Sequence, residues 1–228
     1  MRALRILLIV AVVLGGVLVG IDRLAVAYAE SEAASRVKLS GASSESFEVD
    51  IKGFPFLTQV ADKRFGEVDV VAKGVEATAG SRKIKITELT ADLRDVTVTG
   101  DWAGARAGSA SGTALISYAD LTAASDREAT VAYGGDGKLK VTGGVEIMGR
   151  TLTRSVLSTV TIVNGDTIKV RADEVPGEGI PGVEELVRQR TDFERPIGLI
   201  AGMRVEKVEA TPEGLAVAVS GKDIALAG

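Results

Sequence analysis

The sequence predicts an α+β domain, a long and mostly antiparallel sheet with few helices, behind an N-terminal apolar segment. Three observations carry this. From Phe47 onward, apolar and polar residues alternate in run after run. Gly134-Gly135-Asp136-Gly137 and Asn164-Gly165 stand between neighbouring runs. An unbroken apolar stretch from Ile6 to Ile21 precedes them all. Alternation at period two gives a sheet with one buried and one wet face. Asn-Gly accepts the positive φ that both central positions of a two-residue hairpin require.

The elements follow in chain order. Arg2 and Arg5 precede the apolar stretch, and Asp22 and Arg23 close it. A buried helix would show a polar face at helical spacing, and this one shows none. It is a membrane-targeting segment in one of two forms. Residues 1–29 are either a signal peptide cleaved after Ala27-Tyr28-Ala29 or a permanent anchor. The leading arginines favour a cytoplasmic N terminus. Both forms place residues 30–228, a single β-rich domain, outside the cytoplasm. Ala25–Lys38 continues as helix, with Val26, Ala29, Ala33 and Val37 on one face.

Strand runs then follow at Phe47–Ile51, Val68–Ala72, Ile84–Ile86, Val96–Val98, Ala114–Ile116, Val131–Tyr133, Leu139–Ile147, Val160–Ile162, Ile168–Val170, Met203–Val205 and Leu215–Val219. Two short helices interrupt them. Tyr118–Arg127 has Asp120 to cap its start. Pro181–Arg190 places Val183, Leu186, Val187 and Arg190 on one face behind a first-turn proline. Pro196–Met203 is apolar and broken by glycine, fit to line a cavity or fill a core.

Composition removes whole classes of function. There is no histidine and no cysteine, so histidine-based triads, histidine zinc sites and thiol chemistry are out. Net charge is −4 overall. The N-terminal arginines leave the rest of the chain more acidic still, with no basic face for nucleic acid. Gly134–Lys138 lacks the spacing of a phosphate-binding loop. The neighbouring carboxylates Glu184-Glu185 and Asp173-Glu174 do not face each other, and Asp192 and Glu194 share a strand face as wet surface. No catalytic residue, metal site or cofactor is expected.

Few helical residues remain to cover the apolar face of so much sheet. Either the sheet curls on itself or part of that face is kept for a ligand. The stretch Asp50–Val60, DIKGFPFLTQV, sharpens the question. Four of the five phenylalanines, Phe47, Phe54, Phe56 and Phe65, fall in or beside it. Gly53 bends the chain, and Pro55 holds Phe54 extended and ends ladder pairing. Phe54 and Phe56 then leave a strand into a rigid turn with Leu57 behind them. The turn is either a hydrophobic plug or an apolar lip that meets a lipid tail or a membrane surface. Lys63 and Arg64, and more distantly Arg82 and Lys83, are the basic residues nearest in sequence for a head group.

The heptapeptide Gly53-Phe54-Pro55-Phe56-Leu57-Thr58-Gln59, followed by Val68-Asp69-Val70, resembles the LmeA-like phospholipid-binding family of actinobacteria. The order of elements resembles that family over nearly the whole chain. The resemblance implies a strongly curved sheet wrapped around a long helix with an apolar groove, as in tubular lipid-binding proteins. It implies a phospholipid or glycolipid as partner, handled at the cell envelope without catalysis. Phe54, Pro55, Phe56, Leu57, Phe47 and Phe65 would then line the slot or its gate, with Lys63 and Arg64 at the head group. The alternative is an envelope assembly module with no lipid ligand, its phenylalanines serving as core. A glycan-processing enzyme using carboxylates is a third and weaker reading.

Overall fold

The computed structural model describes residues 2–39, 44–79, 82–100, 102, 104–125, 129–147, 150–173 and 192–227. The predicted Pro181–Arg190 helix, Glu184-Glu185 and Glu174 lie outside these. The fold is α+β, with strands forming two antiparallel sheets and no closed barrel. Sheet A has the order β1-β2-β3-β4-β11-β10, formed by Ser46–Lys52, Arg64–Ala79, Arg82–Thr99, Gly104–Ile116, Leu215–Ala227 and Met203–Ala210. Sheet B has the order β5-β6-β7-β8-β9, formed by Ala129–Gly135, Lys138–Ile147, Arg150–Val163, Thr167–Ala172 and Phe193–Pro196.

The turn chemistry is as expected. Gly135, Asp136 and Gly137 all have positive φ between β5 and β6, and so do Asn164 and Gly165 between β7 and β8. Three helices complete the described fold. Helix α1 runs unbroken over Arg2–Leu39, α2 over Phe56–Asp62 and α3 over Tyr118–Ala123. The cap of α3 corrects the expectation: Ser117, not Asp120, is its N-cap. The Ser117 hydroxyl accepts the Asp120 backbone N–H at 3.1 Å and donates to the Asp120 carboxylate at 2.6 Å. Asp120 is the third helical residue, where its side chain supports the cap.

Sheet A is creased. Phe65, Val96, Ala107 and Ile224 lie directly opposite one another across β2, β3, β4 and β11, and all four are buried. The next apolar row is Val68, Leu93, Ala110 and Gly221, three residues along each strand. On a regular strand an offset of three points to opposite faces. Here both rows reach the same core. Between them the ladders skip the pairs Gly66/Asp95, Asp95/Gly108 and Gly108/Asp223, and Asp95 and Asp223 adopt φ of 52° and 53°. Irregularities of this kind bend the strands and re-aim their side chains. Glycine at 108 suits the crease, since a Cβ there would stand 3.1 Å from the Asp95 Cβ, a tight contact.

Two cores result. The first, beside the crease, joins Val26 of α1 and Phe56 of α2 to Phe65, Val96, Ala107, Ala110 and Ile224. The second packs sheet A on sheet B through Leu139, Val170, Val205, Ala210, Leu215 and Val217. Ile197 and Leu199, from the predicted apolar segment, fill this second core, while Ile200 is exposed.

Candidate functional site

The chain around GFPFLTQ does not stay an irregular turn, as its proline suggested. The Phe54–Pro55 bond is cis, Pro55 takes the N-cap position and α2 begins at Phe56. Proline has no side-chain acceptor, so α2 has no cap of its own. Asp22 of α1 supplies one: its Oδ1 accepts the Leu57 backbone N–H at 2.9 Å. The Asp22 carboxylate is buried and also accepts from the Arg23 guanidinium at 2.9 Å. Arg23 in turn donates to the Gly53 carbonyl at 3.2 Å and lies over the Phe54 ring, 5.4 Å from its centroid. The two charged residues that end the apolar stretch thus clamp the motif.

The remaining motif residues hold its shape. Gln59 donates to the Lys52 carbonyl at 3.2 Å and accepts the Gly66 N–H at 3.1 Å, tying the end of β1 to the start of β2. Gly53 has φ of 99°, and a Cβ there would lie 2.9 Å from the Gln59 amide nitrogen. The Thr58 hydroxyl donates to the Pro55 carbonyl at 2.8 Å. Lys63 ends α2 in the left-handed region.

The four phenylalanines fall into three surroundings. Phe56 and Phe65 are buried with centroids 6.2 Å apart, a plug in the first core. Phe54 and Leu57 stand on the surface, 60% and 43% exposed, and form a lip beside that plug. Phe47 is half-buried near the other end of β1, away from both. The Lys63 ammonium donates to the Gly100 carbonyl at 3.1 Å, and Arg64 is exposed at the start of β2. Neither is ion-paired among the described residues. Arg82 and Lys83 open β3 opposite Ala79 and Thr78, at the far end of the β2–β3 ribbon from the lip.

Sheet A also carries an apolar surface that neither core covers. Val49, Val70 and Ala91 form one cross-strand row, and Phe47, Ala72 and Leu89 form the next. Alternation puts them on the face that holds Ile51, Val68 and Leu93 against the first core. Ala72 is buried, while Phe47, Val49, Val70, Leu89 and Ala91 are half-buried and belong to neither core. Gly112 continues the first row on β4, so small residues form the floor between larger side chains, while Ala114, which continues the second, packs against the second core. Helix α1 packs along β1 and flanks this strip.

Three of the carboxylates that the sequence singled out have partners. Asp173 pairs with Lys138 at 2.8 Å and accepts from Thr159 at 2.6 Å. Asp192 accepts the Ala172 N–H at 3.0 Å, and Glu194 pairs with Lys169. These last two line an open, charged depression of about 420 Å³ with Lys169, Val170 and Arg171 on sheet B. It is unsuited to an acyl chain. Glu67, Asp69 and Asp92 gather on sheet A, with Arg94 and Lys52 paired to the first two.

A creased antiparallel sheet with an open apolar strip, flanked by a long helix whose first half is apolar, defines a class of half-open apolar-faced proteins. The chain matches the model of the LmeA-like phospholipid-binding family over residues 20–220 and belongs to that family. No characterised protein and no solved structure gives a significant match. The family supports phospholipid as the partner and its binding as the activity.

Sequence reasoning missed three residues. Asp22 and Arg23 looked like the end of a targeting segment. Their role depends on α1 folding back along β1, which no local pattern encodes. Trp102 lies between β3 and β4, half-exposed, with its ring 6.5 Å from Phe65. It is the chain's only tryptophan, and that rarity was the available signal.

Proposed function

We propose that the protein binds a phospholipid on the extracytoplasmic side of a membrane and serves envelope lipid or glycolipid handling without catalysis. The acyl chain lies on the strip of Phe47, Val49, Val70 and Leu89 over the Ala72, Ala91 and Gly112 floor. Phe54, Pro55 and Leu57 form the lip toward the membrane, and Phe56 and Phe65 close the strip's end as a plug. The single observation that carries this reading is the uncovered apolar strip in a member of a phospholipid-binding family.

The energetics are sufficient. Each buried methylene contributes about 0.8 kcal/mol, so about eight of them against the strip give roughly 6 kcal/mol before ordering costs. No charged contact is needed for that, although Lys63 and Arg64 at the lip suit a phosphate. The arginines at positions 2 and 5 and the apolar helix support an extracytoplasmic domain.

Native mass spectrometry of the full chain, released from detergent micelles, tests the reading. One retained phospholipid per chain is expected, with loss of that mass in a folded Val70→Glu variant. A clean apo mass, with no uptake from added liposomes, would return the strip to an envelope assembly surface.

A further inference from the structure

The turns of α1 that follow the apolar stretch are built into the domain. Asp22 caps α2, Arg23 holds the Gly53 carbonyl and the Phe54 ring, and Val26 fills the first core. Glu30 accepts the Ile51 backbone N–H at 2.9 Å. Cleavage after Ala29 would remove Asp22, Arg23 and Val26, stripping the cap from α2 and opening the core. The family match begins at residue 20 and so includes all three.

These contacts also set a direction. Glu30 meets Ile51, and Arg23 meets Gly53, so α1 runs antiparallel to β1. Residues before Asp22 therefore continue past the end of the sheet where Gly53, α2 and the β3–β4 turn lie. Side chains 11–21 are exposed throughout. That same end carries Phe54 at 60%, Leu57 at 43% and Trp102 at 52% exposure, with Arg23, Lys63 and Arg64 beside them. Aromatic and basic residues next to an apolar span are the composition of a membrane interface. Length argues the same way. The stretch Ile6–Ile21 is 16 residues, about 24 Å of helix, against a hydrocarbon core of about 30 Å. A short span draws adjoining apolar surface toward the bilayer.

We propose that α1 is retained as an anchor continuous with the domain, and that it seats a collar of Phe54, Leu57 and Trp102 in the bilayer interface. The occupant of this surface is the lipid bilayer itself. The proposal stands apart from whether a lipid occupies the strip on sheet A, because its readouts are the chain's N terminus and Trp102.

The full chain is placed in nanodiscs of phosphatidylcholine and phosphatidylglycerol, with and without bromine on the acyl chains near the head group. Trp102 fluorescence is expected to shift to the blue and to fall at least twofold with brominated lipid. Iodide in solution should quench it little. The intact mass of the membrane-bound chain should include the residues before Glu30. A Phe54→Ser, Leu57→Ser double variant with unchanged circular dichroism should lose most of the lipid quenching. A membrane-bound chain that starts at Glu30 overturns the anchor. Iodide quenching without bromolipid quenching overturns the seating, and undiminished bromolipid quenching in the double variant overturns the role of those two residues.

Discussion

The Asp22 carboxylate accepts the backbone N–H of Leu57 at 2.9 Å, across 35 positions of sequence. One hydrogen bond thereby joins the apolar helix to the start of α2, where proline leaves no cap. Asp22→Ala removes the acceptor and leaves the first-turn donors of α2 unpaired. The expected result is a Tm lower by about 3–6 °C, the scale of a lost N-cap in a chain of this size. Asp22→Asn keeps an acceptor oxygen and should recover part of the loss. Thermal unfolding by circular dichroism checks both.

Phe56 and Phe54 flank the same proline but should respond in opposite ways. Phe56 is buried against Phe65. Phe56→Ala is expected to cost about 3–5 kcal/mol, the range for a truncated core phenylalanine. Phe54→Ser, at an exposed position, should change stability by no more than about 0.5 kcal/mol. Denaturant titrations of the two variants should separate them clearly.

The crease makes Asp95 a conformational position. At φ of 52° a β-branched residue is strained, whereas glycine is not. Asp95→Val should destabilise by about 1–2 kcal/mol, and Asp95→Gly should be close to neutral. Equal losses in both would mean that the aspartate side chain, rather than its backbone, matters there.

Acid should weaken the tie between the end of β8 and strands β6 and β7. Burial alone would raise the Asp173 pKa, but bonds from Lys138 and Thr159 outweigh it and hold the carboxyl below its ordinary value. A carboxyl depressed on folding stabilises above its unfolded pKa, and that contribution is lost as pH falls through the folded value. Asp173→Asn should therefore lower the midpoint of unfolding slightly at pH 7 and make no difference well below the ordinary carboxylate range. Urea titrations at the two pH values measure the difference.

How legible this was in the sequence depended on the range of the interactions. Alternation in Phe47–Ile51 and Val68–Ala72, and the turns at Asp136-Gly137 and Asn164-Gly165, are local, and each formed as expected. The division into two sheets was not legible, because β4 pairs with β11 about a hundred residues later. The plug-or-lip question had no single answer in GFPFLTQ. Helix α2 turns Phe56 inward and leaves Leu57 outward one residue later. The strip was foreseen only as too much apolar sheet for too little helix. Its position followed from the crease, whose marks are single residues, Gly66, Asp95, Gly108 and Asp223, on four strands brought side by side by folding.

The central claim is that a phospholipid acyl chain lies on the inner face of β1, β2 and β3. Photocrosslinking with a phospholipid carrying a diazirine in its acyl chain, followed by peptide mapping of the full chain, tests it most directly. The predicted result is adducts on Phe47, Val49, Val70 or Leu89, abolished by Val70→Glu. Adducts confined to α1 before Asp22, or spread over sheet B, would contradict it.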